Sequence, residues 1–178
     1  MQLIDDKIYS LISSHISINN TIIMTFISHF GDAISVVSIA VAAIILLRNK
    51  KDAICIAVNL SSVTLVNYIL KEIIKRPRPN ILRLIPETGY SFPSAHAMVS
   101  MGFYGFLIYL IYKKVNNKII RYFSMILLSL LILFIGISRI YLGVHYATDV
   151  IGGFIIGLIF LVLFLRYVYN NKRWKREV

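Results

Sequence analysis

The chain has 178 residues, of which 58% are hydrophobic and only 15% are charged, and its mean hydropathy is +0.76. Soluble domains carry about 25% charged residues, so this composition excludes an ordinary soluble protein and predicts an all-α integral membrane protein with one domain over residues 1–178. The net charge of +11 lies mostly in short segments between apolar runs, which argues against a nucleic-acid partner and indicates topology signals and anion ligands.

The first 30 residues are predicted to form an amphipathic segment in the membrane interface. Their apolar residues at helical spacing are Ile4, Ile8, Leu11, Ile12 and Ile16. Asp5 and Asp6 lie between them, and such a pattern suits a helix on the bilayer surface better than one that spans it. Asn19–Asn20 is predicted to separate this helix from the next apolar segment. His15 and His29 are interpreted as interfacial residues, because neither has an acidic or histidine partner at a useful spacing.

About five later segments are apolar enough to span a membrane, which takes about 20 mostly apolar residues. They are roughly Ala33–Leu47, Ala53–Ile74, Ala95–Tyr112, Ile119–Ile137 and Val150–Tyr169. The basic segments Arg48–Lys51, Lys113–Arg121 and Asn171–Val178 then fall on one side, which the positive-inside rule assigns to the cytoplasm together with the C-terminus. The extracytoplasmic side receives Lys75–Pro93 and Ser138–Asp149.

A first cluster of cations follows the second predicted span. Lys71 and Lys75 are four residues apart and share a helix face, and Arg78 comes next in a loop that holds all four prolines of the chain. Prolines make this loop rigid and non-helical. A fixed guanidinium and a lysine charge are typical ligands of a phosphate oxyanion, although an interfacial anchor for lipid headgroups has the same composition.

A second cluster opens the third predicted span. Pro93 and Ser94 precede an apolar run, which indicates a helix start with Ser94 near the N-cap. Helix N-termini present free backbone N–H groups to anions, and Ala95 and His96 lie in the first turn beside them. Taken alone, His96 is more typical of an ordinary helix end than of a catalytic residue.

The third cluster lies between the last two spans. Arg139 ends the fourth span, and His145 and Asp149 are four residues apart at the start of the fifth. In a helical turn Asp149 would accept the Nδ1–H of His145, leaving Nε2 as a free nucleophile or base. The topology predicts that all three clusters converge on one membrane face, where buried ionisable groups indicate function.

The three clusters together resemble the tripartite signature of the type 2 phosphatidic acid phosphatase family, which includes bacterial phosphatidylglycerophosphatase B and undecaprenyl diphosphate phosphatases. The motifs occupy residues 71–79, 93–96 and 138–149, with matching order and spacing. One position departs, because the family usually has glycine where this chain has Ala95. Alanine retains the backbone N–H, so phosphate binding survives wherever the local φ is negative.

The resemblance implies a role for each motif residue. The implied ligands of the phosphoryl oxygens are Lys71, Arg78, Ser94, Ala95 and Arg139. His145 would attack phosphorus to form a phosphohistidine and Asp149 would orient it, while His96 would protonate the leaving oxygen and then activate water. No metal or other cofactor is expected, because three nearby cations would repel a divalent ion.

The implied substrate is a membrane lipid phosphate, with phosphatidylglycerophosphate, phosphatidic acid and undecaprenyl diphosphate as candidates. Lys75, Arg76 and Arg83 are possible contacts of a second phosphate and slightly favour a diphosphate. A lipid transporter or headgroup receptor would need the cations but not the paired histidines, and a lipid phosphotransferase would use the same residues. Vanadate-dependent haloperoxidases share a similar motif but are usually larger and soluble. The sequence predicts no oligomeric state.

Overall fold

The computed structural model describes residues 2–170, and within them the secondary structure is entirely helical. The helices are α1 (Gln2–Ser13), α2 (Ile18–His29), α3 (Ala33–Leu47), α4 (Lys50–Ile74), α5 (Ala95–Lys114), α6 (Lys118–Tyr141) and α7 (Ala147–Asn170). The predicted cytoplasmic tail Asn171–Val178 lies outside the described residues.

The number of spans agrees with the sequence. Helices α4 to α7 are each long and apolar enough to cross a membrane. Helices α2 and α3 pass the same test only as a pair, with a bend of 50° between them, and together they make the fifth candidate span. The prediction of an all-α membrane protein with about five spans is confirmed.

The prediction for the first 30 residues is wrong in its second half. Asn19 and Asn20 do not break a helix but lie in the first turn of α2, where the side chain of Ser17 caps the helix by accepting from the Asn20 N–H at 3.2 Å. Serine and asparagine favour such N-terminal positions because their side chains bond to backbone groups that the helix leaves unpaired. Only α1 is an amphipathic surface helix, whereas α2 packs against α6 and continues into α3.

Helix α5 lies at the centre of the bundle and packs against α4, α6 and α7. Its closest neighbour is α7, because Gly153 and Gly157 let the two backbones approach. A Cβ at Gly157 would lie 2.6 Å from the Met98 carbonyl oxygen, and one at Gly153 would lie 2.9 Å from the Ser94 carbonyl oxygen. These glycines are therefore structural, as small residues at helix contacts in membranes usually are.

The two loops that carry the motifs lie against each other. The Leu84 N–H donates to the Leu142 carbonyl at 3.0 Å and joins the two loops. Within the longer loop, the Ser91 N–H donates to the Arg76 carbonyl at 2.8 Å. Gly143 has a φ of +72° and faces the Leu82 carbonyl so closely that no side chain fits there. The segment between α4 and α5 is thereby held over the short connection between α6 and α7.

Candidate active site

The ends of α4 and α6 and the beginnings of α5 and α7 meet on one side of the bundle, around a cavity of about 530 Å³. Five of the predicted site residues line this cavity, namely Lys71, Arg78, Ala95, His96 and His145. Its apolar wall comes from α3 and α4, through residues that include Val36, Val37 and Leu60. The cavity thus joins a cationic end to an apolar path between two helices.

His145 is buried just before α7, with 2% of its surface exposed. Its Nε2 lies 3.2 Å from a terminal nitrogen of Arg78, and its Nδ1 lies 3.5 Å from Asp149 Oδ2. A guanidinium only donates, so Nε2 must accept, and the ring proton sits on Nδ1 facing Asp149. Burial lowers the pKa of His145 to about 3, and Arg78 adds to the effect while Asp149 opposes it. The ring is therefore neutral at neutral pH, in the tautomer that a nucleophilic Nε2 requires.

Asp149 is fully buried in the first turn of α7 and both of its oxygens accept bonds. Oδ2 accepts from the Tyr146 N–H at 2.9 Å, and Oδ1 accepts from Arg76 at 2.5 Å. The other terminal nitrogen of Arg76 lies 3.0 Å from Asp5 Oδ2, and its guanidinium stacks 4.1 Å above the ring of Tyr146. Two carboxylates hold the guanidinium of Arg76, and Arg76 does not line the cavity, so it is a weaker candidate for a phosphate contact than Arg78.

Lys75 and Arg83 also lie outside the lining of the cavity. Lys75 ends α4 as an exposed residue in the left-handed conformation, with a φ of 50°. Arg83 donates from Nε and a terminal nitrogen to the Pro79 carbonyl, at 3.2 and 3.0 Å. The structure gives these two cations no contact with the cavity, which removes the basis for preferring a diphosphate.

Arg78 and Lys71 are fixed by carbonyl groups of the loop around them. Arg78 donates to the carbonyls of Thr88 at 2.8 Å and Val144 at 2.9 Å, and the ammonium group of Lys71 donates to the Tyr90 carbonyl. Because backbone carbonyls and not mobile side chains hold them, both cations keep their place at the cationic end of the cavity.

Arg139 is 2% exposed in the last turn of α6 and binds a carboxylate of the loop. One terminal nitrogen donates to Ser28 Oγ at 2.6 Å and the other to Glu87 Oε1 at 2.5 Å. The same Glu87 oxygen lies 3.9 Å from a terminal nitrogen of Arg78. Glu87 thus places a negative charge between two predicted phosphate ligands. Sequence reasoning missed it, although an acid in a cationic loop was a signal.

Ser94 and Ala95 begin α5 as predicted. The Ser94 N–H donates to the Asp149 carbonyl at 3.1 Å, which ties the starts of α5 and α7 together. The Ser94 Oγ is buried without a hydrogen-bond partner in the described part of the chain. Ala95 lies in the first turn, and among residues 2–170 the only non-glycine residues with positive φ are Arg48 and Lys75. Alanine therefore fits where the family usually has glycine.

His96 has an acidic partner that the sequence did not suggest. Its Nε2 lies 2.8 Å from Asp32 Oδ1, at the bend between α2 and α3. The other oxygen of Asp32 lies 2.7 Å from Nδ1 of His29, so the statement that His29 has no acidic partner at useful spacing is wrong. The arrangement pairs each histidine of the cavity with its own aspartate, His96 with Asp32 and His145 with Asp149.

Comparison with known proteins identifies the family. Residues 52–173 match the family model of the PAP2 superfamily. The chain belongs to this family. It is 32% identical over 162 residues to phosphatidylglycerophosphatase B of Bacillus subtilis (strain 168), covering 87% of this chain and 78% of that protein. It is also 29% identical over 164 residues to undecaprenyl-diphosphatase BcrC of the same organism, covering 88% and 78%.

A solved structure agrees with the fold of this PAP2 protein. The crystal structure of a transmembrane PAP2 type phosphatidylglycerolphosphate phosphatase from Bacillus subtilis matches with a TM-score of 0.87 and 30% identity, over 97% of this chain and 88% of that one. The predicted resemblance is therefore confirmed, and the chain is a multi-pass membrane hydrolase that acts on phosphoric ester bonds.

Proposed function

We propose that this PAP2 protein hydrolyses a membrane lipid phosphate through a phosphohistidine on His145, without a metal ion. One observation carries the proposal: a buried neutral histidine presents Nε2 beside Arg78 in a cavity that continues into an apolar path between α3 and α4. In the described part of the chain, no group of three or more histidine, cysteine or acidic side chains could hold a metal ion. The cations of the site supply the positive charge that phosphoryl transfer needs.

The phosphoryl group binds at the cationic end of the cavity. Its proposed ligands are Lys71, Arg78 and Ala95, which line the cavity, together with the buried Ser94 and with Arg139, which binds the lining residue Glu87. The buried Oγ of Ser94 and the free N–H groups at the start of α5 add neutral donors to the three cations. The Glu87 carboxylate now lies between Arg78 and Arg139, so binding of the phosphoryl group displaces it.

In the first half-reaction the lone pair on Nε2 of His145 forms a bond to phosphorus, and the bond between phosphorus and the lipid oxygen breaks. Asp149 accepts from Nδ1–H and stabilises the positive charge that develops on the ring. His96, which begins this step as an imidazolium paired with Asp32, gives a proton to the departing lipid oxygen. Asp32 and Gly31 face the edge of His96 that contains Nε2 and Cδ2, so Nδ1 on the opposite side of the ring is the donor.

In the second half-reaction His96 takes a proton from a water molecule. The water oxygen forms a bond to phosphorus, the bond to Nε2 of His145 breaks, and its electron pair returns to the ring. Free phosphate and the neutral histidine result, so the cycle needs no reactant besides lipid and water.

The lipid is proposed to be a monophosphate, with its tail along the apolar wall of α3 and α4. Lys71 and Arg78 line the cavity, whereas Lys75, Arg76 and Arg83 do not. Among the relatives, this favours the chemistry named for phosphatidylglycerophosphatase B over that named for undecaprenyl-diphosphatase BcrC. The site is proposed to face the extracytoplasmic side, with the basic loops at the other end of the bundle in the cytoplasm.

Phosphate release by purified, detergent-solubilised protein tests this function. We compare phosphatidylglycerophosphate, phosphatidic acid and undecaprenyl diphosphate with EDTA present, using His145→Gln as the control. We expect phosphate release that survives EDTA and is lost in the variant. With a radiolabelled substrate, we also expect labelled phosphate on the wild-type protein after a quench in base, a condition in which phosphohistidine survives. Transfer to an added lipid instead of water would indicate a phosphotransferase. No turnover of any lipid by folded protein would contradict the proposal and favour a binding role.

A further inference from the structure

Asp5 is buried, although it lies in the surface helix α1. Its side chain is 1% exposed, whereas Leu3 in the same helix is 77% exposed. A buried carboxylate is costly unless hydrogen bonds satisfy it. Three donors do so here: the Thr148 N–H and the Thr148 hydroxyl, both at 2.8 Å, and a terminal nitrogen of Arg76 at 3.0 Å. These donors come from the segment between α4 and α5 and from the first turn of α7.

These bonds lead directly to the carboxylate behind His145. One terminal nitrogen of Arg76 donates to Asp5 and the other donates to Asp149 Oδ1. Because Asp5 binds one of the two nitrogens, only the other is available to Asp149. Asp149 Oδ2 therefore remains directed towards Nδ1 of His145. Thr148, the neighbour of Asp149 in the first turn of α7, is held by Asp5 from the other side.

We propose that Asp5 is a positioning residue for phosphoryl transfer, which acts through Arg76 and Thr148 to keep Asp149 aligned with His145. The proposal rests on the proposed phosphatase function for its catalytic consequence. Without the Asp5 charge, Arg76 is able to place both terminal nitrogens on Asp149, the bidentate geometry that arginine and carboxylate favour. Oδ2 then turns towards Arg76, and the imidazolium that forms during attack loses its partner.

A second cavity supports the placement of α1 beside the nucleophile. It measures about 30 Å³, room for about one water molecule, and its lining includes Asp5, Asp6, Tyr9 and His145. Helix α1 therefore packs beside His145 without lining the larger cavity.

The kinetic test compares Asp5→Asn with Asp6→Asn. Asp6 is the adjacent acid in α1 and also lines the second cavity, but it is exposed and makes no hydrogen bond or ion pair with Arg76 in the described part of the chain, so its variant removes the same charge without removing a bond to Arg76. We expect Asp5→Asn to lower kcat by about 10- to 100-fold, the range usually seen in metal sites when a histidine loses the hydrogen-bond partner that orients its ring. KM should change less than about twofold, because Asp5 and Arg76 do not line the substrate cavity. In an Arg76→Gln background, Asp5→Asn should have little further effect.

Nitrogen-15 and proton NMR of the histidine rings in the resting full-length protein gives a readout that needs no substrate. The Nδ1 proton of His145, assigned with His145→Gln, should move upfield in Asp5→Asn and stay in place in Asp6→Asn. If Asp5→Asn does not fold, Thr148→Val takes its place, because it removes one hydroxyl that bonds to both Asp5 and Arg76.

The two readouts separate the two proposals. A wild-type protein that hydrolyses no lipid, with the Nδ1 proton shifted in the variant, would contradict the phosphatase function and support the positioning role. A folded Asp5→Asn, or Thr148→Val in its place, with wild-type kcat and an unchanged Nδ1 resonance would overturn the positioning role.

Discussion

Gly31 leaves no room for a side chain beside the ring of His96. A Cβ at this position would lie 2.5 Å from His96 Cδ2 and 2.9 Å from Ile135 Cγ2. To regain ordinary van der Waals contact at 3.4 Å, the ring would have to retreat by about 0.9 Å. Such a shift breaks the 2.8 Å contact between Nε2 and Asp32. Because a misplacement of about 1 Å at a catalytic group costs on the order of 10²-fold in rate, Gly31→Ala should lower kcat by roughly that factor.

Turnover of the preferred lipid by Gly31→Ala measures this loss, with Tm and size-exclusion chromatography to establish that the variant is folded. The same substitution in a His96→Ala background is the control, with residual activity followed by release of radiolabelled phosphate. The His96→Ala background has no imidazole ring for the new methyl group to displace, so Gly31→Ala should have little further effect on its residual activity. A folded single variant with kcat within about twofold of wild type would refute the reasoning, as would an equal loss in both backgrounds.

Three further predictions concern stability. Burial lowers the pKa of His145 to about 3 from an ordinary 6.5, so between these values the folded state binds fewer protons than the unfolded chain. The contribution of His145 to stability should fall by on the order of 1 kcal/mol per pH unit of acidification, so the Tm of His145→Gln should fall less steeply than that of the wild type from about pH 6.5 to 4.5. Gly157→Ala would place Cβ 2.6 Å from the Met98 carbonyl oxygen, which should reduce folded yield and Tm. Lys114→Ala removes the cation 2.6 Å from the buried carboxylate of Asp52 and leaves that charge unpaired, so the Tm should fall with kcat unchanged.

The convergence of the motifs was predictable because membrane spans alternate in direction. The chain places Lys71 and Arg139 at the ends of spans and His96 and His145 at the starts of the next spans. Any bundle of consecutive spans brings such ends to one face, whatever the packing angles. The residue types then indicated anion binding and acid–base chemistry without knowledge of any distance.

The acidic partners were not predictable in the same way. Asp32 lies 64 residues from His96, Glu87 lies 52 residues from Arg139, and Asp5 lies 71 residues from its partner Arg76. A single acid in a loop or surface helix has no periodicity, so only the packed fold assigns it a partner.

Arg76 shows that residue type alone does not predict which cations line the cavity. Arg76 and Arg78 are separated by one proline and have the same side chain, yet one faces Asp149 behind the cavity and the other lines the cavity. Residue type therefore identifies a pool of possible anion ligands, and the direction of each side chain decides which of them meets the substrate.

The same bonds bear on the orientation in the membrane. The basic loop between α4 and α5 lies on the side assigned to the outside, where the positive-inside rule disfavours cations. Arg76 binds two carboxylates, while Arg78 and Arg83 donate to backbone carbonyls, so these charges are held by the fold. The cations that remain as topology signals lie at the other end of the bundle, in Arg48–Lys51 and Lys113–Arg121. The positive-inside rule places that end in the cytoplasm, which favours a site that faces outward.

Two matched cysteine variants decide the orientation. Asn80 in the loop beside the site and Asn116 between α5 and α6 are both exposed and lie at opposite ends of the bundle. In a Cys55→Ser background, which removes the one native and buried cysteine, a membrane-impermeant maleimide should label Asn80→Cys in intact cells. Asn116→Cys should react only after permeabilisation, because its end of the bundle faces the cytoplasm in this arrangement. The reverse pattern would place the phosphohistidine chemistry in the cytoplasm and refute the charge argument, while leaving the geometry of the site intact.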